Sequence, residues 1–250
     1  MPPDANSPSS IEFERVSCRV SAGVRILDDV TLGIAPGETV VLLGRSGSGK
    51  TTTLKLINRL LEPSGGRVSV GGKSTLEWDP IRLRRGIGYV IQEVGLFPHL
   101  TIAGNVGIVP SLEGWPAERI GQRVREVLGL VGLAPDDFGE RYPAELSGGQ
   151  RQRAGVARAL AAEPSIMLLD EPFGALDPIT RREIRGEFRG LRDRLGITMV
   201  FVTHDVAEAF AVADRIALMQ DGALLGCLPP GEFRELDIPE ARRFLEGLDG

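Results

Sequence analysis

The stretch TVVLLGRSGSGKTTTLKL, residues 39–56, passes from an apolar run through a glycine-rich turn into a segment of helical character. An unbroken apolar run such as Val40–Leu43 suits a strand buried on both faces, because strict alternation would leave one face wet. Gly44, Arg45, Ser46, Gly47, Ser48, Gly49, Lys50 and Thr51 match the pattern GxxxxGK[ST] in full, and Thr52 continues into the helix. The glycines let backbone N–H groups wrap phosphate oxygens, and the helix N-terminus adds the positive end of its dipole. In such a loop the Lys50 ammonium neutralises β and γ oxygens and the Thr51 hydroxyl holds Mg²⁺. With a strand before it and a helix after it, the turn reads as a phosphate-binding loop.

Outward from this point, short apolar strands recur near 11–16, 30–34, 67–70, 87–91, 166–169, 198–202 and 215–219. Helical stretches fall near 50–60, 116–131, 149–161, 179–195 and 205–213. That alternation implies an α/β fold with a mostly parallel sheet and an N-terminal antiparallel β portion. From about 93 to 160 the strand pattern lapses, and Pro116 in GWPAERI suits the first turn of a helix. The expected organisation is a disordered tail over 1–10, an α/β core from 11–92 and 161–250, and a helical subdomain inserted at 93–160.

Three more strand ends carry polar groups. The strand in SIMLLDEP delivers Asp170, a candidate Mg²⁺ ligand, and Glu171, a candidate base for an attacking water. His204 follows the apolar run VFVT and falls on the same sheet edge, where α/β folds bind ligands. Gln92, after YVI, stands just before the helical stretch as a candidate sensor of the γ-phosphate and Mg²⁺.

Composition excludes several other functions. With 250 residues, 42% of them hydrophobic, the chain can bury a sizeable core. A formal charge of −5 argues against phosphate-backbone binding, so no nucleic-acid partner is expected. Cys18 and Cys227 stand far apart without metal-ligand spacing. The Pro/Ser-rich start, MPPDANSPSS, lacks the apolar core of a signal peptide, and no run approaches the ~20 apolar residues that span a bilayer.

GRSGSGKT, Gln92, LSGGQ at 146–150, MLLDEP, GALD at 174–177 and His204, in this order, resemble the nucleotide-binding subunit of an ATP-binding cassette (ABC) transporter over about residues 11–230. The resemblance gives the second glycine-rich turn a use. Leu146, Ser147, Gly148, Gly149 and Gln150 open a helix whose N-H groups would hold the phosphate of an ATP bound by the opposite subunit. Two chains would pair head to tail as a homodimer, with Asp177 lining the interface and two ATP molecules between P-loop and signature. The resemblance further implies transmembrane permease subunits, an extracellular or periplasmic solute-binding protein acting indirectly, and a place on the cytoplasmic face of the membrane.

GLFPH, LINRL, DPIRLRR and FGALDPITR look like importers of glycine betaine, choline, carnitine and related quaternary ammonium osmoprotectants. Importers of amino acids, sulfonates, polyamines or lipids are the alternative. The long coiled coil of DNA-repair relatives and the tandem cassettes of translation relatives are not seen. Many members of the osmoprotectant branch carry a paired regulatory module after the ATPase domain. The chain ends at Gly250, so that sensor is expected to be absent. One departure stands out: Val20 occupies the position where the family stacks an aromatic side chain on adenine, while Phe13 reads as core of the first strand. Little preference between bases is expected in consequence.

Overall fold

Runs that are apolar at every position need cover on both faces, and the chain supplies it with a second sheet on one side and helices on the other. The computed structural model describes residues 9–19, 23–92, 95–174, 186, 190 and 194–246. β1 (Ile11–Arg19), β2 (Arg25–Ile34), β4 (Gly65–Val70) and β5 (Lys73–Ser74) form an antiparallel sheet in the order β2-β1-β4-β5. β1 turns Ile11, Phe13, Val16 and Cys18 inward. Phe13 pairs with Leu32 and Val68 in register and is buried, so it serves the core as its strand pattern implies.

The second sheet has six strands in the order β10-β9-β3-β8-β7-β6. They are β3 (Thr39–Leu43), β6 (Ile87–Val90), β7 (Ile166–Asp170), β8 (Thr198–Thr203), β9 (Arg215–Gln220) and β10 (Ala223–Leu228). All neighbours are parallel except β10, which folds back on β9. Every residue of β3, β7 and β8 is buried. Successive side chains serve opposite faces. Val40, Leu42, Leu168 and Val200 therefore pack with the antiparallel sheet and α1 (Lys50–Ile57), while Val41, Leu43, Leu169 and Phe201 pack with helices.

α2 (Pro80–Arg85) precedes β6. Although β6 and β7 are neighbours in the sheet, the chain between them runs through α3 (Ile102–Leu112), α4 (Ala117–Leu130), α5 (Pro135–Phe138), a 3-10 turn (Pro143–Glu145) and α6 (Gly148–Leu160). The chain then closes with α7 (Val206–Val212), α8 (Pro230–Phe233) and α9 (Pro239–Glu246). The helix expected over 179–195 falls mostly outside the described residues. α3, β5, β10, α8 and α9 are elements that the periodicity of the sequence does not announce. α3 hides behind Gly104, Gly107 and Pro110, yet Thr101 caps it by accepting from Gly104 N at 3.1 Å. Gly107 serves its packing, since a Cβ there would stand 2.9 Å from Ile120 of α4.

Gly88 fixes how closely α6 lies against the sheet: a Cβ on it would stand 2.6 Å from the Ala159 carbonyl oxygen and 3.2 Å from Pro164. Neither neighbour is the far end of a flexible chain. Gly88→Ala is therefore expected to destabilise the fold by roughly 1–3 kcal/mol through overpacking. Urea unfolding checks this, with the midpoint falling and the slope unchanged.

Candidate functional site

Parallel pairing sets the site. Leu43 of β3 lies opposite Thr203 of β8, Val202 opposite Asp170 of β7, and Leu169 opposite Val90 of β6. Four strands thus end in one row, and the residues just beyond each end, Gly44, His204, Glu171 and Gln92, share a single edge of the sheet. This is the edge where α/β sheets bind ligands.

The loop Gly44–Gly49 is shaped by sterics as much as by charge. A Cβ on Gly44 would stand 2.4 Å from the Met219 carbonyl oxygen, and one on Gly49, at φ 99°, would stand 2.5 Å from Leu27. Gly47 takes φ 82°. Ser46 and Arg45 are exposed, Thr51 and Thr52 are half-buried, and Ser48 is buried with no hydrogen-bond partner for its Oγ. Lys50 is buried and donates from Nζ to the carbonyls of Gly44 at 2.7 Å and Arg45 at 2.8 Å. Burial pulls the Lys50 ammonium below its ordinary range, and the charges of Glu171 and Asp170 push the other way. A buried cation, an orphan hydroxyl and backbone N–H groups around a glycine turn are the donor set a polyphosphate needs.

At the end of β7, Asp170 accepts from Thr51 Oγ1 at 3.0 Å and from the Tyr89 hydroxyl at 3.5 Å. Burial raises the Asp170 carboxyl above the usual carboxylate range, with Glu171's charge adding to it and the Thr51 and Tyr89 hydrogen bonds opposing. The Tyr89 phenol is raised too, first by burial and then by Asp170. Glu171 takes φ 44°, a conformation that an L side chain adopts at a cost, while its N–H continues the ladder to Val202 O at 3.0 Å. The turn returns its carboxylate to the edge, where one oxygen, Oε2, meets both Gln92 Nε2 at 3.3 Å and His204 Nδ1 at 3.2 Å. His204 is itself set by its neighbours. Thr203 Oγ1 donates to buried Glu208 and accepts from Asp205 N, and Asp205 caps α7 by accepting from Ala207 N and Glu208 N.

The signature turn is built from its own residues. Ser147 is the N-cap of α6: its Oγ accepts from Gln150 N at 3.3 Å, and Gln150 Oε1 accepts from Ser147 N at 2.9 Å. The cap uses Ser147 Oγ as acceptor, so the hydroxyl proton can still donate outward. Leu146 is buried, Ser147 and Gly148 are exposed, and Gly149 and Gln150 are half-exposed. Asp177 and Val20 lie outside the described residues. Tyr89, Glu208 and Glu240, which accepts from Arg45, are parts of the site that motif reading misses. For Tyr89 the signal is present, as a polar tip in the otherwise apolar strand IGYV.

A parallel sheet with this loop after an interior strand and paired acids at a neighbouring strand end defines a P-loop NTPase cassette. Residues 27–174 match the family described as ABC transporter, and the chain belongs to that family. It is 51% identical over 223 residues to the glycine betaine/carnitine/choline transport ATP-binding protein OpuCA of Bacillus subtilis (strain 168), covering 89% of this chain and 58% of that protein. It is 48% identical over 210 residues to the osmoprotectant import ATP-binding protein OsmV of Salmonella typhimurium, covering 84% of this chain and 55% of that one. The chain therefore spans little more than half the length of these two relatives. Among solved structures, the ATP-binding cassette MJ0796, in a dimeric post-hydrolysis state bound to ADP and Pi, superposes with a TM-score of 0.78 at 34% identity, covering 88% of this chain and 98% of that one.

Asp170 yields a test of how the site trades stability for charge. Its carboxyl is held above the ordinary range, so its charged form costs folding free energy that is fully present above that raised pKa, shrinks as pH falls from there toward the unfolded-chain value, and vanishes below the latter. Asp170→Asn is expected to melt higher than the unsubstituted protein at pH 7, by about 2–4 °C for each kcal/mol released. The gap should narrow as pH falls toward ~4 and close by pH ~3, below the ordinary Asp value of ~3.9, where the acid is protonated in both states. Scanning calorimetry without nucleotide across this pH range reads both effects.

Proposed function

We propose that the chain hydrolyses ATP in a head-to-tail pair with a second copy of itself and couples that cycle to uptake of a quaternary ammonium osmoprotectant through permease subunits. The observation that carries the hydrolytic part is the convergence of Gln92 and His204 on one oxygen of Glu171, beside the P-loop. In this reading the Gly44–Gly49 N–H groups and Lys50 bind the phosphates, with the Ser48 hydroxyl as a further donor. Thr51, Asp170 and Gln92 would hold Mg²⁺, and the pairing of Thr51 Oγ1 with Asp170 Oδ1 puts two hard oxygen donors together as that ion prefers. When bound, Mg²⁺ would neutralise charge that develops on the β and γ oxygens. Glu171 Oε2 accepts a proton as the water oxygen bonds to the γ-phosphorus, and the bond from that phosphorus to the bridging oxygen of ADP breaks. Gln92 and His204 orient the carboxylate and the water.

Ser147, Gly148 and Gly149 of one chain would face the ATP of the other, which their exposure permits, and Asp177 would lie between the two. Bound ATP then adds contacts only in the closed pair, and hydrolysis removes them, so turnover cycles a population between closed and open. On the permease side, the segment after Gln92 presents Phe97, 42% exposed. Fully buried Asn105 holds this loop, accepting from Phe97 N at 2.7 Å and donating to the carbonyls of Phe97, Leu100 and Thr101. A pre-shaped loop with an exposed aromatic suits a docking contact. No helix among the described residues is long and apolar enough to cross a membrane, so the permease would supply the path and a solute-binding protein would deliver the cargo. The solute class is supported by the transport functions in the names of OpuCA and OsmV. The cytoplasmic face of the membrane is the place such a subunit would work.

Glu171→Gln should keep ATP binding while slowing hydrolysis by ~10²-fold or more, a typical general-base contribution. It should also accumulate a closed dimer in ATP. Single-turnover hydrolysis and size-exclusion chromatography read the two outcomes, and turnover close to that of the unsubstituted chain would remove Glu171 from the role.

For the solute, the chain co-purified with its permease and placed in vesicles should drive ATP-dependent uptake of glycine betaine or choline. Transport of neither would turn the assignment toward another importer class.

A further inference from the structure

The P-loop has a second attachment, from a residue 195 positions away: Arg45 Nε donates to Glu240 Oε1 at 2.7 Å. Arg243 donates to the other carboxylate oxygen at 3.2 Å. Glu240 lies on α9 with its side chain 4% exposed, whereas that of Arg45 is 64% exposed. A buried carboxylate has shed its water and must be compensated, while a solvated guanidinium can do without a partner. The dependence runs from α9 to the loop: Arg243 reaches one carboxylate oxygen from within α9, and Arg45 of the loop satisfies the other.

Residue 45 is gripped from both directions. Its side chain is held by Glu240, and its carbonyl, with that of Gly44, receives Lys50 Nζ. An ammonium that turns toward a phosphate releases those two carbonyls, and the loop then keeps its shape through its glycine packing and the Arg45 anchor. None of the motif residues explains Glu240, and a buried acid joined to the second residue of the loop has no role in the chemistry itself.

We propose that Glu240 is a positioning residue for nucleotide binding: through Arg45 it holds the phosphate loop in its binding shape, so that docking of α9 and occupation of the loop reinforce one another. The inference rests on the ATPase reading above. Coupling of this kind is reciprocal, so the factor by which the anchor tightens nucleotide equals the factor by which nucleotide favours docked α9.

Calorimetric titration of Mg²⁺-ADP and Mg²⁺-ATP into the chain and into Glu240→Gln, Arg45→Ala and the double variant tests this. Each single change is expected to weaken both nucleotides alike by about tenfold, equivalent to 1.4 kcal/mol. The double variant should be no weaker than either single one, because both remove the same link. KM for ATP should rise by the same factor with little change in kcat. Glu240→Asp should recover part of the loss. Hydrogen exchange of amides 240–246 should slow when ADP is added to the unsubstituted chain and not when it is added to Arg45→Ala. If Glu240→Gln does not fold, Arg45→Ala carries the test, since it changes the exposed partner and leaves Arg243 on the carboxylate. Unchanged affinities in variants that melt normally, additive losses in the double variant, or α9 exchange indifferent to ADP would each overturn the proposal. A chain that binds neither nucleotide would overturn the ATPase reading as well, a result distinct from normal binding that the substitutions leave untouched.

Discussion

The in-register parallel pairing of β3, β8, β7 and β6 is the constraint on which the site depends. Because Leu43 faces Thr203, Val202 faces Asp170 and Leu169 faces Val90, the strands stop together, and each hands its next residues to the same edge. A one-residue slip would send every inward side chain to the opposite face of the sheet. The complete burial of β3, β7 and β8 makes such a slip costly. Register is thus set by the core, well away from the edge, and the loop, the acids and the histidine inherit their spacing from it.

The edge itself is held against its own preferences. Lys50 and Asp170 are both buried, and burial works against the charged form of each, while Glu171 takes positive φ without being glycine. Left alone, a buried ammonium or carboxylate neutralises. Here each is kept usable by near neighbours: the Gly44 and Arg45 carbonyls receive Lys50, and Thr51 and Tyr89 donate to Asp170. In the proposed reading these contacts would give way to phosphate oxygens or a hard cation, as groups already held in place by a preorganised polar site can.

How much was legible follows from whether a feature is local. β3, β7 and β8 can be read because double burial writes itself as an unbroken apolar run, and the residues after such a run are then on the ligand edge. That is why Glu171, His204 and Gln92 stand out in the sequence. β10 is not legible, since all six of its positions are only half-buried and Gly226 falls inside its irregular pairing with β9. α3 is not legible because Gly104, Gly107 and Pro110 depress helix propensity, while the cap at Thr101 and the close approach to α4 favour the helix in the fold. Glu240 is the hardest case. In PEARRFLE it reads as one more surface charge, and only the packing of α9 reveals that its partner is Arg45.

The helical stretch between β6 and β7 is tied to this edge through β6. Gly88 lets α6 approach the strand's backbone, and α6 begins at Ser147, so the signature turn and Gln92 are both positioned from the same four-residue strand. Arg158 of α6 strengthens the connection, donating to the Gly95 carbonyl at 2.6 Å just past Gln92. Any displacement of Gln92 toward a γ-phosphate would therefore pull on the segment that leads to Phe97 and on the helix that begins at Ser147. A carboxamide on a short strand end can pass on such a displacement because the elements beyond it are rigid and packed, and packed elements shift as bodies and do not deform continuously. The arrangement would let one bond at Glu171 bear both on the exposed turn at Ser147 and on the loop that presents Phe97.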